Sequence, residues 1–235
     1  MKNTKENIIV IKDLIKTYQT GQLETPVLKG IDLEIQKGEF VAIMGKSGAG
    51  KSTLLYQISL LDRPSSGTIM VDGEDIIAMT EAERTVFRLN ELGYVFQDYA
   101  LVPELTAVEN VAIPMLMQGL DTNTAYERSR EVLDHIGLNG KYDNRPNQLS
   151  GGEQQRVSIA RGVAQKPKIL FADEPTANLD SNSSNAVIET LRDLHQQGQT
   201  IVMVTHEPEY TKYCDRIIFL EDGKITNYNY QVSNY

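Results

Sequence analysis

The sequence predicts an α/β fold with a parallel-sheet core, and three observations carry that prediction. Four short apolar runs, "EFVAIM", "LGYVF", "KILFA" and "TIVMVT", are continuous rather than alternating, the pattern of strands covered on both faces. Each run ends on a glycine or a polar residue: Gly45, Gln97, Asp173 with Glu174, and His206. Ligands of open parallel sheets bind beyond the carboxyl ends of the strands, so the four ends are expected to converge on one site. Between the runs lies helical patterning, as in "TAYERSREVLDHIGL", where Ala125, Val132, Leu133 and Ile136 recur at roughly helical spacing.

The elements follow in order. The N-terminal third reads as short strands with a hairpin signal at Asp72-Gly73, and Asp222-Gly223 repeats that signal near the end. Both suggest an antiparallel layer beside the parallel one. The first core strand opens onto "GKSGAGKST", residues 45–53, followed by the apolar helix start "LLYQI". Residues from about Leu101 to Leu149 read as a helical insertion that separates two core strands. It ends at "LSGGEQQRVSIARGVA", where Ser150 and Glu153 stand at capping-box spacing before a helical run. One domain over 5–227 is expected, with a helical subdomain at about 98–150. The polar, tyrosine-rich end "NYNYQVSNY" reads as a loose terminus, a C-terminal tail over 228–235.

Composition narrows the function classes. At 235 residues, 40% hydrophobic and 23% charged, the chain is an ordinary globular protein able to bury a full core. Its net charge of −9 gives no electrostatic support to nucleic-acid binding. The single cysteine, Cys214, forms no internal disulfide and, beside "RIIFL", reads as a packing residue. The N-terminal apolar run is too short for a signal peptide. The most apolar stretch, "VAIPMLM", is too short to span a bilayer and holds Pro114.

The strongest chemical signal is the segment after the first core strand. It satisfies G-x-x-x-x-G-K-[ST] in a strand–loop–helix setting. Gly45, Gly48 and Gly50 let the backbone curl with its N–H groups pointing inward around phosphates. Lys51 brings a point charge to the β and γ phosphates, and the Ser52 hydroxyl is placed for Mg²⁺. Asp173, at a strand end, suits the same ion, while Glu174 beside it suits a water-orienting base for γ-phosphate hydrolysis. The helix start behind Ser150 is a second anion-friendly site, with backbone donors at a positively polarised end. A stable cap with no ligand is the rival reading there.

Taken together, "GKSGAGKS", Gln97 in "YVFQD", "LSGGEQQR", "ILFADE", "NLD" at 178–180 and His206 in "VTHE" resemble the ATP-binding cassette (ABC) ATPases. The likeness in order and spacing runs from about Ile8 to Thr226. It implies a P-loop NTPase fold: a RecA-like parallel-sheet core, an antiparallel β subdomain and an α-helical subdomain. It also implies ATP and Mg²⁺ as cofactors, with the whole loop from Gly45 through Lys46, Ser47, Gly48, Ala49, Gly50, Lys51 and Ser52 to Thr53 around the phosphates. In that family two cassettes dimerise head to tail, so Ser150, Gly151 and Gly152 would face the γ-phosphate of the partner's nucleotide. By the same resemblance Gln97 contacts Mg²⁺ or the attacking water, and Asp180 contacts the opposite subunit's site. His206 would bind the γ-phosphate, and Tyr18 in "KTYQTG" would stack on adenine; a packed or surface tyrosine is the rival for Tyr18. Lys46 stands where the family often has proline, and Ala49 where serine is common. The work at both positions is done by backbone N–H groups.

The stretches "VLKGIDLEIQKGEFVAIMGKSGAGKSTLL", "LLDRPSSGTIMVDGEDI" and "GYVFQDYALVPELTAVENVAIPM" are similar to cassettes of bacterial macrolide exporters, lipoprotein-releasing systems and antimicrobial-peptide transporters, with cell-division cassettes also close. The likeness implies an export-type ATPase subunit that homodimerises when ATP-bound and works a separate integral-membrane permease. The location implied is cytoplasmic, on the inner face of the membrane. "LVPELTAVENVAIPM" is the stretch expected against the permease. The alternatives are a soluble ABC ATPase acting on DNA or ribosomes, and a non-hydrolysing regulatory cassette.

Overall fold

In the computed structural model, which describes residues 6–230, the chain opens with β1 (Asn7–Thr20), β2 (Leu23–Gln36), β3 (Phe40–Met44) and α1 (Lys51–Ile58). It continues with β4 (Ser66–Val71), β5 (Glu74–Asp75), α2 (Glu81–Glu91) and β6 (Leu92–Val95). Then come α3 (Ala107–Met117), α4 (Thr122–His135), α5 (Gly151–Val163), β7 (Ile169–Asp173) and α6 (Ser181–Gln196). The chain closes with β8 (Thr200–Val204), β9 (Arg216–Glu221) and β10 (Lys224–Tyr230). Among the described residues these elements form two compact units, one drawn from 6–85 and 200–230, the other from 86–199.

The first unit holds an antiparallel sheet in the order β2-β1-β4-β5. Its strands alternate as a half-buried sheet must: Ile31, Leu33 and Ile35 of β2 are buried while Asp32 and Glu34 are not. β1 and β2 run to 14 residues each, longer than the short strands expected from sequence. Register shifts interrupt their pairing, and one, between Ile11 and Leu14, carries Asp13 at φ 46°. The same unit holds β3 with parallel neighbours on both sides, in the order β10-β9-β3-β8. Every residue of β3 and β8 is buried, the reason both runs are continuously apolar. The two hairpins close where expected. Asp72-Gly73 joins Val71 to Glu74, and Asp222-Gly223 joins Glu221 to Lys224, with positive φ at all four turn residues.

The start of the expected C-terminal tail is different. β10 continues through Tyr230, pairing Tyr228 with Ile218. Tyr228 lays its ring 5.9 Å from the Arg216 guanidinium and donates its hydroxyl to the Asp32 carbonyl at 3.0 Å. Residues 231–235 of that expected tail lie outside the described residues.

The second unit pairs β6 with β7 in parallel, and β7 is wholly buried. Its apolar cluster is built by α3, α4 and α5, with Val108, Val111, Met115, Ala125, Leu133, Leu138, Val157 and Ala160 at its centre. Of the helical positions expected from sequence, Ala125, Leu133 and Ile136 are buried and Val132 packs at the edge. Ser129, one turn after Ala125, is also buried and satisfies its hydroxyl on the Ala125 carbonyl at 2.7 Å. Pro114 lies inside α3. The helices of this unit start on side-chain caps: Thr106 for α3, Asp121 for α4, Ser150 for α5 and Asp180 for α6.

Candidate functional site

The helix α1 of the first unit begins differently. Its N-cap is Gly50 in a left-handed conformation, with no side-chain cap. The leading N–H groups of α1 therefore face the loop that precedes them instead of a capping oxygen. That loop leaves β3 at Gly45, where a Cβ would lie 2.1 Å from the Leu220 carbonyl oxygen; only glycine fits against β9 there. The loop folds on itself through Ala49 N–H to the Lys46 carbonyl at 3.1 Å. The Lys51 side chain is buried, and its Nζ donates to the Gly45 and Lys46 carbonyls at 3.0 and 3.2 Å. The ammonium is thus folded into the loop whose N–H groups would surround a phosphate. Ser52 and Thr53 follow in the first turn, both half-buried.

Two further expected residues belong to this unit. β3 and β8 pair in register at Ile43 and Val204, and the Thr205 N–H continues to the Ile43 carbonyl at 3.2 Å. Gly45 and the exposed His206 therefore leave the same edge of the sheet. Tyr18, on β1, donates its hydroxyl to Asp62 Oδ2 at 2.9 Å. Burial first, then Asp62, holds that hydroxyl above its usual range, while the Thr53 side chain bonds it and pulls the other way. Tyr18 is thereby tied to the first turn of α1.

The other expected residues lie on the second unit. β6 and β7 pair at Val95 and Ala172, so Gln97 and the Asp173–Glu174 pair leave one sheet edge. Asp173 is buried. Glu174 sits at φ 44°, a conformation few non-glycine residues adopt. Its carbonyl accepts from Ala177 at 3.2 Å in the turn that follows. The capping box of α5 forms as spaced, Ser150 N–H to Glu153 at 2.8 Å and Glu153 N–H to the Ser150 hydroxyl at 3.3 Å. The Ser150 N–H first, and Lys141 after it, keep the Glu153 carboxyl below the usual range. A Cβ on Gly152 would lie 2.8 Å from that of Ser183, so this glycine lets α5 begin directly against α6. Asp180 has a structural job the sequence reading did not assign it. It caps α6 by accepting from the Asn182 and Ser183 N–H groups at 2.9 and 3.0 Å and from the Ser183 hydroxyl at 2.7 Å.

Sequence reasoning missed the side chains that hold the segment around Gln97. Gln155 donates to the Phe96 carbonyl at 3.2 Å, and Asn178 to that of Gln97 at 3.2 Å. Arg161 donates to the Tyr99 and Ala100 carbonyls at 3.0 and 2.7 Å. Tyr99 and Ala100 are consecutive left-handed residues, φ 63° and 49°, and the half-buried Arg161 guanidinium fastens that costly turn. The carbonyls of four backbone residues are held from α5 and from the turn before α6. No local pattern marks these partners, since they lie about 60 to 80 positions away in the chain.

Cys214 is buried at 3% exposure, and burial pushes its thiol far up, as a packing residue requires. Among the described residues no group of three or more His, Cys, Asp or Glu could hold a metal ion. Among them, too, no helix is long and apolar enough to cross a membrane.

Known proteins share this arrangement. The family model described as ABC transporter matches residues 28–177. An uncharacterised ABC transporter ATP-binding protein of Methanocaldococcus jannaschii, MJ1508, is 48% identical over 218 residues, covering 93% of this chain and 97% of its own. The lipoprotein-releasing system ATP-binding protein LolD of Shewanella frigidimarina is 43% identical over 224 residues, covering 95% and 94%. The macrolide export ATP-binding/permease protein MacB of Aggregatibacter actinomycetemcomitans is 46% identical over 219 residues, but the chain spans only 34% of that longer relative. Among solved structures, a dimeric post-hydrolysis state of the ATP-binding cassette MJ0796 bound to ADP and Pi superimposes with a TM-score of 0.87. It is 39% identical, with 94% of this chain and 98% of that one covered. The phosphate loop, the capped serine–glycine helix and this full-length likeness lead to one assignment: the chain belongs to the ABC transporter family, as an ATP-binding ATPase cassette.

Proposed function

We propose that two copies of this chain close head to tail around two ATP molecules and drive a separate membrane permease, in an export-type system. The observation that carries the reading is the contrast between two helix starts. α1 opens without a side-chain cap on a lysine-bearing glycine loop, while α5 opens on Ser150, Gly151 and Gly152. Each is an anion site on physical grounds. In this reading one copy's α1 loop holds the triphosphate, and the other copy's α5 end covers the γ-phosphate. Tyr18 stacks on the base, His206 contacts the γ-phosphate and Asp180 contacts the opposite copy. Dimeric solved structures of the MJ0796 cassette support the pairing, and the names of LolD and MacB support export.

The Ser52 hydroxyl and the Asp173 carboxylate are hard oxygen donors of the kind Mg²⁺ takes alongside nucleotide phosphates, and the Gln97 side-chain carbonyl is another, so the chemistry of these residues fits the ion. Bound there, Mg²⁺ would neutralise charge on the β and γ phosphates. Lys51 adds its own charge to the same oxygens as it leaves the Gly45 and Lys46 carbonyls. Glu174 takes the proton from the attacking water, whose oxygen bonds to the γ-phosphorus as the bond to ADP breaks. Reopening follows. The segment from Leu101 to Met115, which follows the Tyr99–Ala100 turn that Arg161 fastens to α5, is the part placed against the permease, which would keep the cassette on the inner face of the membrane.

Glu174→Gln keeps the shape and removes the base. Turnover should fall by at least about 100-fold, and the variant should accumulate as an ATP-bound dimer by light scattering. Wild-type phosphate release with saturating Mg²⁺ would remove Glu174 from the role. A sample that stays monomeric with ATP, Mg²⁺ and its membrane partner would remove the shared site.

A further inference from the structure

Asp62 lies in the loop between α1 and β4, outside every motif that marks the nucleotide site, and yet it gathers that site's base end. Its two oxygens receive Lys16 Nζ at 3.0 and 2.8 Å. Oδ2 also receives the Tyr18 hydroxyl at 2.9 Å and Gln57 Nε2 at 2.9 Å, and Oδ1 receives the Arg63 N–H at 2.7 Å. Lys16 stands two residues before Tyr18 on β1 and so on the same face. It is 9% exposed, donates to the Arg63 carbonyl at 2.6 Å and holds its ammonium 4.6 Å from the centre of the Tyr18 ring. The loop is itself fixed. Arg84, almost fully buried, donates to the carbonyls of Leu60 and Asp62, both at 2.9 Å.

These contacts constrain Tyr18 in two ways. Its hydroxyl end is pinned by Asp62. One ring face is covered by the Lys16 cation. The residue as a whole remains 39% exposed, enough for a ring face away from Lys16 to meet a ligand. Gln57, fully buried on α1, ties the same carboxylate to the helix that begins at the phosphate loop. Gln57 lies six residues after Lys51, about 9 Å along a helix. The platform for the base and the cradle for the phosphates are therefore both referenced to α1.

We propose that Asp62 and Lys16 are positioning residues for nucleotide binding: they lock the Tyr18 ring at a fixed pose relative to the phosphate loop, so that its open face receives the base of ATP. The proposal rests on the reading of Tyr18 as the base platform. The charges suit the task. Burial pushes the Asp62 carboxyl up, but the donors from Lys16, Arg63, Tyr18 and Gln57 outweigh it and hold the group below its usual range. It remains a charged acceptor at neutral pH, while Tyr18 keeps the proton it donates.

The test compares KM for ATP with inhibition by inorganic tripolyphosphate, which carries no base. Tyr18→Ala should raise KM about tenfold, the size of a lost stacking contact, and leave tripolyphosphate inhibition unchanged. A Tyr18→Ala variant with wild-type KM overturns the platform reading, and this proposal with it. Given that rise, Asp62→Asn and Tyr18→Phe should each raise KM several-fold with kcat within twofold. The double variant should be no worse than Asp62→Asn alone, because that change already weakens the acceptor of the one hydrogen bond that Tyr18→Phe removes. Lys16→Met should raise KM likewise, and Lys16→Arg should restore most of it. Tyr18→Phe removes a single oxygen and keeps the test open should Asp62→Asn fold poorly. Wild-type KM in Tyr18→Phe and in every folded Asp62 and Lys16 variant, beside a raised KM in Tyr18→Ala, overturns the positioning role alone. So does a tripolyphosphate effect as large as that on ATP.

Discussion

At the scale of single residues, two positions proposed to act on the nucleotide sit where the backbone is least ordinary. Glu174 adopts φ 44° directly after a strand whose last residue is buried. Gly45 meets a carbonyl so closely that alanine there would have to displace the backbone of β9. Sequence spacing marked both positions, through the phosphate-loop pattern and the paired carboxylates after "KILFA". The same reading assigned Cys214 to packing, and its chemistry can be checked directly. Burial raises the thiol far above its ordinary range, and the thiolate is the reactive form. The native protein should therefore resist iodoacetamide at pH 8 for hours, and label with one equivalent once unfolded in guanidinium. Rapid native labelling would show that the Cys214 environment opens.

Elements depend on their ends. The capping box at Ser150–Glu153 was visible as spacing, but spacing cannot say whether a cap is also a ligand site, and the box at Thr106–Glu109 came to light only in the structure. The Thr106 hydroxyl caps α3 by accepting from the Glu109 N–H at 3.3 Å, and the Thr106 N–H donates to the Glu109 carboxylate at 2.7 Å. Thr106→Ala should lower the unfolding free energy by about 1 kcal/mol, read from urea titrations. The pH dependence has a definite sign. The Thr106 N–H, and then its hydroxyl, hold the Glu109 carboxyl below its usual range. A depressed folded value means that the contribution is complete above the unfolded value, about 4.3, and disappears as pH falls through the lowered one. Glu109→Gln should therefore be less stable than wild type at pH 6, with the gap closing towards pH 3. A gap that widens on acidification would contradict the cap.

At the scale of the whole molecule, each unit is closed by contacts between residues far apart in the chain. In the first, Arg216 on β9 meets Glu39 before β3 at 2.7 and 2.9 Å and donates to the Glu34 carbonyl at 2.6 Å. Both side chains of the pair are almost fully buried. Removing one charge strands the other, which costs about 3–5 kcal/mol. Glu39→Gln should lower the urea midpoint accordingly, whereas Lys12→Gln, at an exposed 3.6 Å pair, should barely move it. The sequence alone determined what repeats locally or follows a rigid pattern. It showed the buried parallel strands by their continuous apolar runs, the two Asp-Gly hairpins, the phosphate loop and the serine–glycine helix start, because each is written within a few residues of itself. Only the tertiary structure decided which distant side chains serve those motifs. Arg161 and Asn178 hold the backbone around Gln97, and Asp62 and Lys16 hold Tyr18. β10 carries the polar chain end into an edge strand beside Arg216. A hydrogen bond between residues tens of positions apart leaves no period in the sequence, and becomes definite only when the strands and helices between them have packed.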